Sequence, residues 1–400
     1  MKKWWGISLV CSGLLALAVA GVYFSRKAAP GAPEPVEDPI ERQLAEMTLR
    51  EKVGQLFCVR PEALDVELEP GVRGHRRKRI AVTERMRAVN ALYPVGGIIF
   101  FERNILDEPQ LASLMADLRT FKGAPIFYVD EEGGPVSRIA PNRNFGVARY
   151  RPMGLACKDG AGAYEAGNTI GKYLHRLGFH VDLAPVADVN TNKRNPVIGT
   201  RAFSPDPEMA AEMAVQYAEG LSDAGILPCV KHFPGHGDTR TDSHLGIAVL
   251  DKTWEELQGC ELIPFRRAIE RDVPIVLAGH LNVPAVTGND LPASLSSCMI
   301  GEKLRGELGY RNVVMTDGMA MGAITRRYSS GEAAVLAVRA GADIVLTPKN
   351  FIEAFDAVFA AVESGEISES RLDESVRRVL LLKNRAFTAA GCCNADAPCP

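Results

Sequence analysis

The sequence has no large excess of either charge: 46 Lys and Arg stand against 49 Asp and Glu, a formal net charge of −3 over 400 residues. That balance gives no electrostatic case for binding nucleic acid, which would require a dense basic surface. The one strongly basic run, Arg73 to Arg79, reads as a solvated loop. No CxxC pair and no HExxH pattern is present, so neither a zinc ribbon nor a helical zinc site is encoded. Cys58, Cys157, Cys229, Cys260 and Cys298 are scattered singly, which is not the spacing of a disulfide framework. With 46% hydrophobic and 24% charged residues the chain falls among globular proteins. No composition break divides the region from Ile40 to Phe387, which therefore reads as one catalytic-size domain.

Residues 1–27 have a different character. Lys2 and Lys3 precede an apolar stretch from Trp4 to Phe24, the layout of an export signal or an N-terminal membrane anchor. Ala18-Val19-Ala20 before Gly21 fits a small-residue cleavage site, while Val22, Tyr23 and Phe24 prolong the run to a membrane-spanning length of about 20 residues. Both readings place the folded domain outside the cytoplasm, either periplasmic or held to a membrane by the uncleaved segment. Residues 28–39 form a Pro-rich linker, and residues 388–400 form a tail whose Cys392, Cys393 and Cys399 are available for a local or intermolecular disulfide.

Between these ends, short β-branched runs alternate with amphipathic stretches, the pattern of repeated βα units around a parallel sheet. Eight strands are expected: Gln55 to Val59, Gly97 to Phe101, Pro125 to Asp130, His180 to Asp188, Leu227 to His232, Ile275 to Leu281, Asn312 to Asp317 and Asp343 to Leu346. Several are almost continuously hydrophobic, as strands buried on both faces should be. Pro207 to Ala224 and Ser368 to Asn384 are the clearest helices. The fold class is therefore α/β, a single (β/α)8 barrel of the TIM type.

In such a barrel, functional side chains lie at the carboxyl ends of the strands. The polar residues there are Asp130, Asp188, Lys231 and His232, His280, and Asp317. The segment that follows the fifth strand is the richest: KHFPGHGDTRTDSH, from Lys231 to His244. Its histidines and aspartates admit three readings. His232, His236 and His244 could hold zinc; Asp242 could orient and charge His244 for proton transfer; or the polar groups could simply pair with one another. The irregular, Gly- and Pro-containing spacing favours the dyad over a metal cage.

That segment, with VDEEGG at Val129 to Gly134, GTRAFS at Gly199 to Ser204 and MTDGMAM at Met315 to Met321, resembles glycoside hydrolase family 3, in its β-N-acetylhexosaminidase branch. The resemblance runs from about Ile40 to Phe387 with the motifs in order. It implies that His244 is the proton-transferring residue, Asp242 its partner and Asp317 the covalent nucleophile. It also implies that Asp130, Arg138, Arg201, Lys231 and His232 hold the sugar. Pro135 departs from the pattern, which often has Arg there, and puts the local contacts of that loop in question.

What the resemblance implies is a retaining, exo-acting β-N-acetylglucosaminidase, with peptidoglycan fragments as substrate and neither cofactor nor metal. Its partner is thus a carbohydrate containing N-acetylglucosamine. A β-glucosidase or a phosphorylase of the same family is the nearest alternative. A metal-dependent hydrolase and a noncatalytic sugar-binding barrel are more distant ones.

Overall fold

The computed structural model describes residues 38–66, 80–240 and 247–389. The N-terminal apolar segment, most of the Pro-rich linker, the basic run Arg73 to Arg79, Asp242 and His244, and the cysteines of the tail lie outside the described residues. Among the described residues no helix is long and apolar enough to cross a membrane.

Eight parallel strands form the centre: β1 (Phe57–Val59), β2 (Gly97–Phe100), β3 (Ile126–Val129), β4 (Val181–Asp182), β5 (Leu227–Phe233), β6 (Ile275–Ala278), β7 (Val313–Thr316) and β8 (Val345–Leu346). Each pairs with its neighbours in chain order, and β1 pairs with both β2 and β8. The ring closes where Met315 bridges Ile344, the Thr316 amide donating to Ile344 O at 2.9 Å and the Ile344 amide to Val314 O at 3.1 Å. This is the expected (β/α)8 barrel.

Most strand residues are hydrophobic because both faces are covered, Asp182, Lys231, His232 and Thr316 being the polar ones, and alternation sorts the apolar residues into two cores. Cys58, Ile99, Ile126, Tyr128, Val181, Cys229, Leu277 and Met315 fill the barrel interior, while Phe57, Ile98, Phe100, Phe127, Val230 and Val314 face the surrounding helices. Val379, Leu382 and Ala386 of the last helix, Glu369–Ala389, belong to the interior cluster. That helix covers the amino-terminal ends of the strands, where Arg378 Nη1 reaches the Asp343 carboxylate just before β8 at 2.9 Å. One end of the barrel is thereby sealed, and the carboxyl ends remain for the site.

Local signals set the helix boundaries. Asp206 Oδ1 accepts the Met209 amide at 2.9 Å and Pro207 opens the helix Pro207–Asp223, a proline being harmless where its missing N–H has no partner. Ser368 Oγ accepts the Arg371 amide at 3.2 Å, but the helix it starts continues to Ala389, five residues past the expected Asn384.

The expected first strand loses Gln55, which ends the helix Leu49–Gln55, and two other strands differ by more than their end residues. The regular ladder of β4 stops at Asp182 rather than Asp188; Pro185 has no N–H to give, but bonding to β5 continues through Cys229 N to Ala184 O at 2.8 Å, Lys231 N to Pro185 O at 3.2 Å and Ala187 N to Lys231 O at 2.7 Å. The run Ile275 to Leu281 is divided: Ile275–Ala278 belongs to the barrel, and Leu281–Asn282 turns away to pair with Ala248–Val249.

Candidate active site

A pocket of about 430 Å³ lies at the carboxyl ends of the strands. Asp130, Arg138, Arg201, Lys231, His232 and Asp317 all line it, so six of the eight residues singled out from the sequence converge. Asp242 and His244 lie outside the described residues.

The segment after β3 shows how consecutive carboxylates are divided between tasks. Glu131 points away from the pocket, and its carboxylate accepts the amides of Arg138 at 2.6 Å, Ile139 at 2.8 Å and Ala140 at 3.0 Å, and the Tyr173 hydroxyl at 2.9 Å. The loop is thus folded around a buried side chain, and its neighbours Asp130 and Glu132 face the pocket. Gly133 and Gly134 follow at φ +84° and +67°, and a Cβ at Gly134 would stand 2.6 Å from Pro152 Cα. Pro135 is exposed on this turn, and Val136 is the residue that reaches the pocket wall.

Asp130 and Glu132 meet the cations from the opposite segments. Lys231 Nζ donates to Asp130 Oδ1 at 2.9 Å and lies 2.6 Å from Glu132 Oε1. Arg201 grips the same Glu132 through Nε at 2.9 Å and Nη2 at 2.8 Å. Burial alone would raise the Glu132 carboxyl, but Arg201 and Lys231 hold it far below the usual carboxylate range. Lys231 is held above its usual range, its burial being outweighed by Asp130 and Glu132. Arg138 extends the network: Nη2 lies 3.6 Å from Asp130, Nη1 donates to Glu102 at 2.6 Å, and its guanidinium covers the Phe101 ring.

His232 is fixed by Asp188, whose Oδ1 accepts the amides of His232 at 3.1 Å and His236 at 2.7 Å while Oδ2 meets His232 Nδ1 at 2.8 Å. A carboxylate can only accept, so Nδ1 carries the proton and Nε2 is the ring nitrogen left for other contacts. The Thr239 hydroxyl stands 2.6 Å from His236 Nδ1 and 2.9 Å from His236 O, and its single hydrogen can serve either acceptor. Among the described residues no three His, Cys, Asp or Glu side chains gather as a metal site.

Asp317 follows β7. Its amide donates to Ala278 O at 2.9 Å, and its Oδ1 accepts the Gly318 amide at 2.7 Å. Burial would raise this carboxyl, but His280, His232, the Gly318 amide and Lys231 together hold it below the usual value. Asp317 is therefore an anion at neutral pH. His280 also braces the neighbouring peptide, for its Nε2 donates to Gly318 O at 3.1 Å, while Nδ1 meets Ser294 Oγ at 2.7 Å.

The matched family model, glycosyl hydrolase family 3 N terminal domain, covers residues 48–382. The chain belongs to glycosyl hydrolase family 3. Within the family it is 34% identical over 369 residues to the β-hexosaminidase LpqI of Mycobacterium tuberculosis, covering 87% of this chain and 88% of that protein. The solved structure of M. tuberculosis LpqI superposes with a TM-score of 0.74 at 32% identity, covering 86% of this chain and 96% of that one. A family 3 β-N-acetylglucosaminidase from Paenibacillus sp. str. FPU-7 gives a TM-score of 0.77 at 40% identity, over 88% of this chain and 64% of that one. The chain spans 54% of the length of β-hexosaminidase A from Pseudoalteromonas piscicida, to which it is 30% identical.

Among the residues that the site uses, Glu132 and Arg60 were not singled out from the sequence. The signal for Glu132 was its place two residues after Asp130, on the same side of an extended segment. Asp188 and His280 stood out as polar strand ends; their contacts assign them to holding His232 and the Asp317–Gly318 peptide.

Proposed function

We propose that the chain is a retaining, exo-acting β-N-acetylglucosaminidase that removes terminal β-linked N-acetylglucosamine from glycans, peptidoglycan fragments among them. The observation that carries this reading is the Asp317 carboxylate, held ionised in a pocket large enough for one sugar and facing a clamp of Asp130, Lys231, His232, Arg138 and Arg201. Charged donors and acceptors of this kind form strong bonds to hydroxyls. The naming of several relatives as β-hexosaminidases supports the same sugar class.

In this mechanism Asp317 attacks the anomeric carbon as the glycosidic bond breaks, and protonated His244 gives its proton to the departing oxygen. Asp242 favours the imidazolium beforehand. Neutral His244 then takes a proton from water, which cleaves the glycosyl ester of Asp317, and two displacements at one carbon restore the β configuration. A panel of chromogenic β-N-acetylglucosaminide, β-glucoside and β-xyloside substrates, with and without phosphate, tests the assignment. Preference for the first without need of phosphate is expected, and Asp317→Asn should lose more than about a thousandfold in turnover. A dominant β-glucosidase activity, or a strict phosphate requirement, would reject the reading.

The same proposal places the enzyme outside the cytoplasm, on the strength of Lys2, Lys3 and the apolar run that follows them. A fusion of residues 1–39 to a reporter that works only after export should be active. Silence of that fusion, with activity of a matching fusion to a reporter that works only in the cytoplasm, would reverse this placement.

A further inference from the structure

The cations of the pocket differ in how they are neutralised. Lys231, Arg138 and Arg201 each have a carboxylate within 2.8 Å: Glu132 for Lys231 and Arg201, Glu102 for Arg138. Arg60, which follows β1 and also lines the pocket, has none. Its Nε is buried and makes no hydrogen bond. The nearest carboxylate oxygen, Glu62 Oε1, is 3.9 Å away, and Glu62 is already engaged by Arg103 at 3.5 Å and by Asn104 Nδ2 at 3.1 Å. Among the described residues the Arg60 side chain forms no hydrogen bond, yet it is only 28% exposed.

Barrel topology says which part of a substrate meets it. Asp130, Arg138, Arg201, Lys231 and His232 come from the segments that follow β3, β4 and β5, so the clamp occupies one side of the mouth. Asp317 follows β7. Arg60 follows β1, which is four strands from β5 around a ring of eight and therefore on the opposite wall. Around it the pocket is lined by Phe101, Met321, Leu346 and Thr347, with Arg138 of the clamp lying over the Phe101 ring. A sugar gripped on the β3 to β5 side with its anomeric carbon at Asp317 presents its leaving group to this second wall.

A half-buried guanidinium that makes no hydrogen bond among the described residues and only a long ion pair is suited to an oxyanion, because its planar fork matches carboxylate or phosphate geometry. We propose that Arg60 determines specificity by binding a carboxylate carried by the leaving group, next to the bond that breaks. The assignment rests on the β-N-acetylglucosaminidase reading and refines it: the favoured substrate has an acidic residue following the terminal N-acetylglucosamine. Inorganic phosphate offers the same chemistry from a different source, as an acceptor that would enter beside Asp317.

The test uses two disaccharides with the same terminal β-N-acetylglucosamine, one whose leaving sugar bears an ether-linked carboxylate and the other its methyl ester. The wild-type protein should favour the acid by about tenfold or more in kcat/KM, the scale of a hydrogen bond to a charged group. Arg60→Gln should erase that preference, and Arg60→Lys should keep part of it, since the charge remains and the fork does not. Equal rates of wild-type protein on acid and ester would overturn the proposal, a comparison that needs no variant. Equal losses on both substrates in Arg60→Gln would also overturn it and make Arg60 a structural residue. Acceleration by inorganic phosphate that disappears in Arg60→Gln would reject the leaving-group assignment in favour of phosphate. Cleavage of an aryl β-N-acetylglucosaminide by the same preparation separates the two levels: if that substrate too is untouched, the glycosidase reading fails and this proposal with it.

Discussion

Asp188 holds His232 at two points, one oxygen on the backbone amide at 3.1 Å and the other on the ring Nδ1 at 2.8 Å. The orientation of the imidazole in the pocket is thus set from below. Asp188→Asn keeps the shape but can present an N–H to Nδ1, which forces the other tautomer. Transition-state stabilisation should fall by about 1.5–3 kcal/mol, read from kcat/KM, with little change in melting temperature. An unchanged kcat/KM would show that His232 orientation is indifferent to Asp188.

Asp130 and Glu132 should separate binding from stability. Asp130 is half-buried at the pocket wall, so Asp130→Ala should weaken the affinity for N-acetylglucosamine product by roughly 1.5–3 kcal/mol, measured by calorimetry. Glu132 is 2% exposed between Lys231 and Arg201. Glu132→Ala leaves both cations without their shared anion, and a stability loss of about 3–5 kcal/mol is expected in denaturant unfolding. Affinity lost by neither variant would contradict the placement of the clamp.

The proposed role of Asp242 and His244 is tested by leaving-group dependence. His244→Ala and Asp242→Ala should slow a substrate with a poor leaving group far more than an activated aryl glycoside, which departs with little protonation. Equal losses on the two would exclude His244 as the acid. Activity surviving prolonged EDTA treatment would separately dismiss an exchangeable zinc held by His232, His236 and His244.

A pH effect on stability is expected from the sealed end of the barrel. Lys383 is buried there, donating to Gln55 Oε1 and Gly123 O, and burial depresses its ammonium to about 7. Above that pH the folded chain has released a proton that the unfolded chain keeps until about pH 10.4. Stability should therefore rise with pH between about 7 and 10, by up to about 1.4 kcal/mol per unit. Lys383→Met, which retains the apolar stem, should flatten the slope relative to wild type in unfolding titrations across that range. Parallel slopes would show that Lys383 stays charged in the fold.

Much of this architecture was legible in the chain because parallel barrel strands are buried on both faces and stand out as apolar runs, as Ile98-Ile99-Phe100 does. Strand ends were less legible. Pro185 ends the regular ladder of β4 and the divided run Ile275 to Leu281 changes partners for reasons of hydrogen bonding across the sheet, which no single segment encodes. Within the site, chemistry-bearing residues at strand ends were visible, but not which carboxylate faced which way. Asp130, Glu131 and Glu132 are neighbours of similar type, and only the three amides and the Tyr173 hydroxyl gathered around Glu131 remove it from the pocket. Arg60 directly follows the run Gln55 to Val59 and is a polar strand end of the same kind, but its lack of a hydrogen-bonding partner among the described residues is legible only in the folded chain.

The interior of the barrel is filled with side chains, and the last helix closes it from beneath, so among the described residues the pocket has a floor and no rear exit. In the proposed exo reaction a released monosaccharide therefore leaves through the opening by which the next chain comes in. Every catalytic cycle therefore includes an exchange with solvent, and free product competes directly with fresh termini. At equal mass, a sample of long glycans offers fewer termini than one of short fragments. Sugar output is then governed by how often other enzymes cut the polymer as much as by the speed of bond cleavage here.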